Sequence, residues 1–316
     1  MSLSLGEGHT PLEAAPGLAA WAGVDALLLK REDLNPTGSH KDRGAVRQVE
    51  ACVAAGQRVA VISSSGNAAL AAATYGARAG VTVVAVVSPL TPRGRVDELA
   101  RAGARVVVTD KPINHALRLS RVRRWPDLRP SLSDAALTGF MTLGEELAAE
   151  LDDGTAVFAY ASSGTTFAGI GRVLVAADRR VHLHPVQAGL VNGFSAAFGR
   201  PGDGRRSRVG DLGVRHSPRA DEVLDLVRAS GGQAWWVDDA QVAAGEAALR
   251  EAGLALATEC AAALAGVRLA AGETEVHTAC LLLTGRAAPG PAAPVGDALG
   301  VAHDFDAVRR AVEDLG

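Results

Sequence analysis

Short apolar runs rich in β-branched residues alternate with alanine-rich stretches, and this alternation constrains the fold more than any other feature. Runs 58–64, 81–87 and 104–110 read RVAVISS, VTVVAVV and ARVVVTD, which is typical of buried parallel strands. Between them, stretches 68–80 and 91–103 have the spacing of amphipathic helices that end at glycine. This order predicts strands that are connected through helices.

The same alternation returns in the second half of the chain. Four further runs have the composition of strands: 155–161, 181–188, 233–239 and 276–284. The last of these contains the apolar run ACLLL, residues 279–283, and is typical of a central strand. The sequence therefore predicts an α/β fold with one or two open, mostly parallel sheets. Such sheets bind ligands beyond the carboxyl ends of their strands, so the segments that follow the strands are the places to search for chemistry.

Composition excludes several other classes of protein. The net charge is −3 without a block of like charge, which argues against a nucleic-acid partner. No apolar run approaches the roughly 20 residues that a membrane span needs. The three cysteines, at 52, 260 and 280, lie far apart and are odd in number, which argues against a metal site and a disulfide framework. A reducing cytoplasm is the expected location.

Two polar loops follow predicted strands and precede predicted helices. Segment 62–70 reads ISSSGNAAL, and segment 160–172 reads YASSGTTFAGIGR. Serine and threonine hydroxyls beside the free N–H groups of a helix start form a good site for an anion. A plain helix cap is the alternative interpretation of each loop. Neither loop has the spacing of a Walker or dinucleotide motif, yet two such loops in one chain favour an anionic ligand.

Lysine is rare in this chain, which has 32 Lys+Arg but only three lysines, at 30, 41 and 111. Lys41 follows a Gly-Ser-His turn in the segment KREDLNPTGSHKDRGA, residues 30–45. A primary amine near sites for a phosphate and a carboxylate indicates pyridoxal-phosphate chemistry, because arginine cannot form a Schiff base with the aldehyde. The alternative is an ordinary solvated charge at a helix start.

With these residues in place, the chain resembles the fold-type II pyridoxal-phosphate enzymes, and within them the threonine synthases. The resemblance covers most of the chain in order, through segments 4–12 (SLGEGHTPL), 34–45 (LNPTGSHKDRGA), 63–80 (SSSGNAALAAATYGARAG), 139–151 (GFMTLGEELAAEL), 162–172 (SSGTTFAGIGR) and 281–286 (LLLTGR). It implies two domains, a large cofactor-binding domain at 1–45 plus 146–316 and a smaller α/β domain at 46–145. It also implies a homodimer.

The resemblance implies a role for each site residue. Lys41 would hold pyridoxal 5'-phosphate and later move protons. The cofactor phosphate would be held by Ser163, Gly164, Thr165 and Thr166. Thr284 would face the pyridine nitrogen with a neutral hydroxyl, which suits elimination and replacement chemistry.

The remaining implied residues would contact the amino-acid substrate. Its carboxylate would be held by Ser64, Ser65, Gly66 and Asn67, with Asn67 also near the phenolic oxygen of the cofactor. A substrate phosphate or leaving group would meet Asn35, Thr37 and Ser39.

The leading functional prediction is a threonine synthase, which converts O-phosphohomoserine and water to threonine and phosphate. A serine/threonine ammonia-lyase, a related enzyme of a specialised pathway and a non-catalytic ligand-binding relative are the alternatives. Ala68 and Thr284 favour the synthase, because ammonia-lyases usually carry histidine and serine or cysteine there. His40 and Thr165 depart from the synthase pattern, which usually has phenylalanine and glycine at these positions. Glu259 is either an added acid/base group or a residue that stabilises a helix start.

Overall fold

A computed structural model describes residues 2–177, 179–210, 217–288, 294 and 300–315. The chain divides into two compact units. The six-strand unit contains Gly8–His40 and Phe140–Ala287, and the three-strand unit contains Met1–Glu7, Lys41–Gly139 and Ala288–Gly316. The domain bounds inferred from the resemblance stay a prediction.

The strands follow the predicted apolar runs. In chain order they are β1 (Leu12–Ala14), β2 (Ala26–Lys30), β3 (Val59–Ile62), β4 (Thr82–Val87), β5 (Arg105–Val108), β6 (Ala156–Tyr160), β7 (His182–Ala188), β8 (Trp235–Val237) and β9 (Thr278–Leu282). The larger sheet has the order β1-β2-β9-β6-β7-β8, and only β1 runs antiparallel to its neighbour. The smaller sheet, β3-β4-β5, is parallel throughout. The predicted α/β fold with mostly parallel sheets is confirmed, and β9 lies at the predicted central position.

Helices occupy the stretches between the strands. They are α1 (Pro16–Ala22), α2 (Lys41–Ala54), α3 (Asn67–Ala79), α4 (Arg93–Arg101), α5 (Pro112–Arg123), α6 (Asp134–Glu150), α7 (Thr165–Ala176), α8 (Gly193–Ala197), α9 (Ala220–Ala229), α10 (Asp239–Glu251), α11 (Thr258–Glu273) and α12 (Phe305–Arg310). The predicted helices 68–80 and 91–103 correspond to α3 and α4. No helix of the described ranges has both the length and the apolarity that crossing a bilayer demands.

The three-strand unit buries both faces of its sheet. Ala60 and Ile62 of β3 pack with residues of α2 and α3, whereas Val59 and Val61 pack on the opposite side with residues of α5. Side chains along a strand alternate between the two faces, so a sheet covered on both faces needs apolar residues at every position. This explains why Val59–Ile62 is apolar at every position.

Aromatic and imidazole rings cross the larger sheet from strand to strand. The His184 ring stacks on Phe158 at 4.6 Å and on Trp235 at 6.1 Å between centroids. Nε1 of Trp235 donates a hydrogen bond to Nδ1 of His184 over 2.9 Å. Burial lowers the pKa of His184 to about 3, so the ring is neutral at pH 7. Trp235 is fully buried and therefore packs in the core of the six-strand unit.

Lys30 is fully buried at the end of β2. Its Nζ donates to the main-chain oxygen of Thr10 over 2.8 Å. The same Nζ lies 2.9 Å from Oε2 of Glu146 and 2.6 Å from Oε2 of Glu150. A buried charge needs partners of this kind, and here they link β2 to α6 and to the N-terminal segment of the six-strand unit. Lys30 thus has a structural role in the six-strand unit.

Candidate active site

The loop after β6 ends at Gly164, a position that requires glycine. Gly164 has φ +75° and precedes the first residue of α7. A Cβ at this position would lie 2.7 Å from Phe194 Cζ and 2.8 Å from Val223 Cγ2. Both the left-handed backbone and the close packing exclude other residues. The loop that carries the predicted phosphate-binding residues therefore has a fixed shape.

Ser163, Thr165 and Thr166 surround this glycine at the start of α7. Oγ of Ser163 lies 3.2 Å from Oγ1 of Thr165, whose side chain is buried. No side chain of the described residues caps α7, so its first N–H groups lack that partner. The helix dipole adds partial positive charge at the same end. The arrangement fits a phosphate, and the buried Thr165 side chain leaves the exposed side of the loop open for it.

Thr284 follows β9, and its main-chain oxygen receives two hydrogen bonds from His40. The His40 main-chain nitrogen lies 3.1 Å away and the ring Nδ1 lies 2.8 Å away. A carbonyl oxygen only accepts, so Nδ1 carries the proton of the ring. The ring also packs on Phe140 with centroids 5.6 Å apart. His40 thus fixes the chain immediately before Lys41 to the end of the central strand.

Cys260 lies next to the side chain of Thr284. Its Sγ is 3.7 Å from Oγ1 of Thr284 and donates to the main-chain oxygen of Gly285 over 3.5 Å. Burial raises the pKa of Cys260 to about 12, so the group remains a neutral thiol. Cys260 therefore adds no negative charge beside the Thr284 hydroxyl. This is consistent with the expectation that Thr284 offers a neutral partner to a pyridine nitrogen.

The segment 35–39 is tied to the six-strand unit. The Asn35 amide accepts from the Gly8 nitrogen over 2.9 Å and donates to the main-chain oxygen and Oε2 of Glu32, each over 2.9 Å. Thr37 and Ser39 are buried close by in the chain. The bonds of Asn35 hold the turn together, so contact with a substrate would require one of them to open.

The second polar loop belongs to the three-strand unit, where it joins β3 to α3. Ser64 Oγ accepts from the Gly66 nitrogen over 3.2 Å, and Asn67 begins the helix. No side chain of the described segments caps α3. The loop, Ser65 included, is half-buried, and a Cβ at Gly66 would meet no heavy atom within 4 Å. An anion could therefore approach these N–H groups.

Lys41 is the first residue of α2 in the three-strand unit. Its own side chain is half-buried, and Asp42, Arg43 and Gly44, which follow it, are buried. A Cβ at Gly139 would lie 2.0 Å from the Arg43 oxygen, so α2 packs tightly against the start of α6. Lys41 is thus held on a rigid element.

The predicted role of Glu259 at a helix start, and the two histidines of β7, have structural explanations. Glu259 lies in the first turn of α11, where the helix dipole favours a carboxylate. Nδ1 of His182 lies 2.6 Å from the Ser230 oxygen, and Nδ1 of His184 accepts from Trp235. Among the described residues, no group of three His, Cys, Asp or Glu side chains is arranged to hold a metal ion.

A cleft of about 550 Å³ opens near the amino ends of β6 and β7, at the opposite end of these strands from the loop after β6. Arg179, Arg180 and His182 line it together with Asp153. The Asp153 carboxylate lies 3.7 Å from Nε of Arg179 and 3.5 Å from Nε of Arg180, which offsets their charge. Parallel α/β sheets bind ligands at the carboxyl ends of their strands, so the loops after β6 and β9 are better candidates for the active site than this cleft.

Comparison with known proteins identifies the family that the chain resembles. The family model described as pyridoxal-phosphate dependent enzyme matches residues 3–285. A threonine synthase of Methanosarcina acetivorans is 29% identical over 287 residues, which covers 84% of this chain and 70% of the relative. A threonine synthase of Mycobacterium leprae is 41% identical over 124 residues, 38% of this chain. That second match spans only 33% of the relative's own length.

Solved structures share the fold at low sequence identity. Maize serine racemase has a TM-score of 0.77 at 19% identity, with 88% of each chain covered. The processed form of threonine deaminase isoform 2 from Solanum lycopersicum has a TM-score of 0.71 at 22% identity, covering 97% of this chain and 84% of that one. Enzymes with different activities thus share this architecture.

Proposed function

This chain belongs to the pyridoxal-phosphate-dependent enzymes, and we propose that it is a carbon–oxygen lyase of the threonine synthase type. Its substrates would be O-phosphohomoserine and water, and its products threonine and phosphate. The observation that carries the proposal is the neutral Thr284 hydroxyl after the central strand, beside an uncharged Cys260 thiol. A neutral partner moderates the electron sink and suits elimination followed by addition of water.

The loop at the start of α7 would hold the cofactor. Its helix dipole, its N–H groups and the hydroxyls of Ser163, Thr165 and Thr166 would bind the phosphate, with Gly164 setting the shape of the loop. The Thr284 hydroxyl would donate a hydrogen bond to the ring nitrogen. When bound, the cofactor supplies an electron sink for carbanions at the substrate.

Lys41 would provide the covalent attachment through Nζ. Once released by the substrate amine, the same Nζ would take and return protons at the substrate carbon atoms. The loop Ser64, Ser65, Gly66 and Asn67 would bind the substrate carboxylate and so orient the substrate. Thr37 and Ser39 would face the leaving phosphate, and Asn35 would support their turn.

The direct test follows phosphate and threonine together. Purified protein loaded with cofactor should release phosphate from O-phosphohomoserine with an equal amount of threonine. Pyruvate from serine, or 2-oxobutyrate from threonine, without phosphate release would instead identify an ammonia-lyase. A visible cofactor band without any turnover would indicate a ligand-binding relative or another substrate.

We also infer a homodimer in the cytoplasm. The three cysteines are free and buried, which suits a reducing compartment. Sedimentation equilibrium of the loaded protein should give twice the mass of the chain, and a monomer mass would contradict the dimer.

A further inference from the structure

Arg95 reaches from α4 to the residue that starts α3. Its Nη1 donates to Oε2 of Glu98 over 2.5 Å, and its Nη2 donates to Oδ1 of Asn67 over 3.4 Å. Arg95 is only 9% exposed, so the guanidinium is largely removed from water. All three residues belong to the three-strand unit. One guanidinium therefore joins a buried carboxylate to the amide at the end of the Ser-Gly-Asn loop.

The chemistry of the two groups sets the orientation of the amide. A guanidinium has only donors, so the Asn67 atom that faces it is the amide oxygen. A rotated amide would place two donors against each other and leave one of them unsatisfied. The Nδ2 group of Asn67 consequently points away from Arg95 and is available to donate to an acceptor.

We propose that Arg95 is a positioning residue, which holds the Asn67 amide so that its N–H₂ group is presented to an anionic oxygen of the bound ligand. This inference rests on the proposed function, under which that oxygen is the phenolic oxygen of the cofactor. Glu98 fixes the other end of the guanidinium and keeps its plane in place. A lysine could not replace Arg95 in this role, because its donors radiate from one nitrogen and are not held in the fixed planar fork that reaches Glu98 with one nitrogen and Asn67 with another.

The test uses the visible absorbance band of the loaded protein and its change with pH. A hydrogen bond from Asn67 stabilises the negative charge on the cofactor oxygen. When that donor is lost, a proton close to the oxygen is held more tightly, so its pKa rises. In Arg95→Met the midpoint of the titration should rise by about one pH unit, which corresponds to one hydrogen bond. The cofactor should also dissociate about tenfold more readily.

Matched variants separate this role from general damage. Arg93 lies on the same helix, is paired with Asp97 and is 48% exposed in its side chain, so Arg93→Met should leave midpoint and affinity unchanged. The double variant Arg95→Met/Glu98→Gln removes the carboxylate that Arg95→Met alone would leave buried without this cation. It should fold and show the same shift. In an Asn67→Ala background the Arg95 substitution should add nothing further.

The outcomes distinguish the two proposals. A wild-type midpoint and wild-type affinity in the double variant would overturn the inference about Arg95 and leave the proposed function intact. A wild-type protein that forms no visible band with pyridoxal 5'-phosphate would overturn the proposed function itself.

Discussion

The ring Nδ1 of His40 lies 2.8 Å from the main-chain oxygen of Thr284, which joins the residue before Lys41 to the residue after β9. The same oxygen accepts from the His40 main-chain nitrogen over 3.1 Å. A phenylalanine at position 40 could not make the side-chain hydrogen bond. His40 packs on Phe140 as an aromatic ring and also fixes the chain through its side chain.

His40→Phe should keep the ring packing on Phe140 and lose the hydrogen bond from Nδ1 to the Thr284 oxygen. The Thr284 oxygen retains its main-chain partner, so the free energy of unfolding should fall by about 1 kcal/mol, measured by urea unfolding. His277 pairs with Asp25 at an exposed site, and His277→Phe serves as the control with a change below about 0.5 kcal/mol. Equal losses in the two variants would contradict a special role for His40.

Lys30→Met should lower the free energy of unfolding substantially, although methionine has a similar length and an apolar side chain that suits burial. The substitution leaves Glu146 and Glu150 without the ammonium that lies 2.9 Å and 2.6 Å from them. Breaking a fully buried pair costs about 3–5 kcal/mol of unfolding free energy, and because Glu150 is 34% exposed we expect a loss at or below the lower end of that range, about 2–3 kcal/mol. Lys111→Met, at an exposed lysine, is the matched control and should cost less than about 0.5 kcal/mol in the same urea experiment. A tolerant Lys30→Met would show that the buried network contributes little.

Gly164→Ala should weaken both the fold and cofactor binding. The methyl group must accept a left-handed backbone and the contacts with Phe194 and Val223. Gly199 has φ +77° and open space around it, so Gly199→Ala measures the backbone cost alone, about 1–2 kcal/mol. Gly164→Ala should cost about 1–3 kcal/mol more, and its cofactor dissociation constant should rise while that of Gly199→Ala stays at the wild-type value. Identical behaviour of the two variants would contradict the packing argument.

His184 should make the fold sensitive to acid. Its folded-state pKa of about 3 lies below the ordinary value of 6.5, so the unfolded chain binds the proton more tightly. Stability from this group is complete above pH 6.5 and is lost as the pH falls towards the folded pKa, by about 1.4 kcal/mol per unit. His184→Gln keeps an acceptor for Trp235 and should flatten the curve of unfolding free energy against pH over this window. An unchanged slope would mean that other groups cause the acid sensitivity.

Much of the fold is local information and could be predicted from the sequence. The run 81–87 predicts β4 because it is rich in valine and almost wholly apolar. Gly80 predicts the end of α3 because glycine readily adopts the left-handed backbone of a helix end, and its φ is +66° in the structure. The order of strands in the larger sheet could not be read this way. Among the described residues β9 is the last strand, yet it lies between β2 and β6, a placement that depends on packing over the whole unit.

The candidate site was predictable to the same extent. Lys41, Gly164 and Thr284 lie in motifs that the sequence displays, and their roles remain proposals. Arg95 and Cys260 gave no such signal, because their contacts join residues 28 and 24 positions apart. The stretches 200–211 and 285–300 are rich in glycine, with polar residues in the first and proline in the second, which predicts loops, and both include residues that lie outside the described ranges.

The covalent site of the cofactor is the most direct test of the central claim. The chain has only three lysines, so borohydride reduction of the loaded protein followed by peptide mass mapping has three possible sites of modification. The account predicts one pyridoxyl group per chain on Lys41, and its loss together with the visible band in Lys41→Ala. A pyridoxyl group on Lys30 or Lys111, or a visible band that persists in Lys41→Ala, would contradict it.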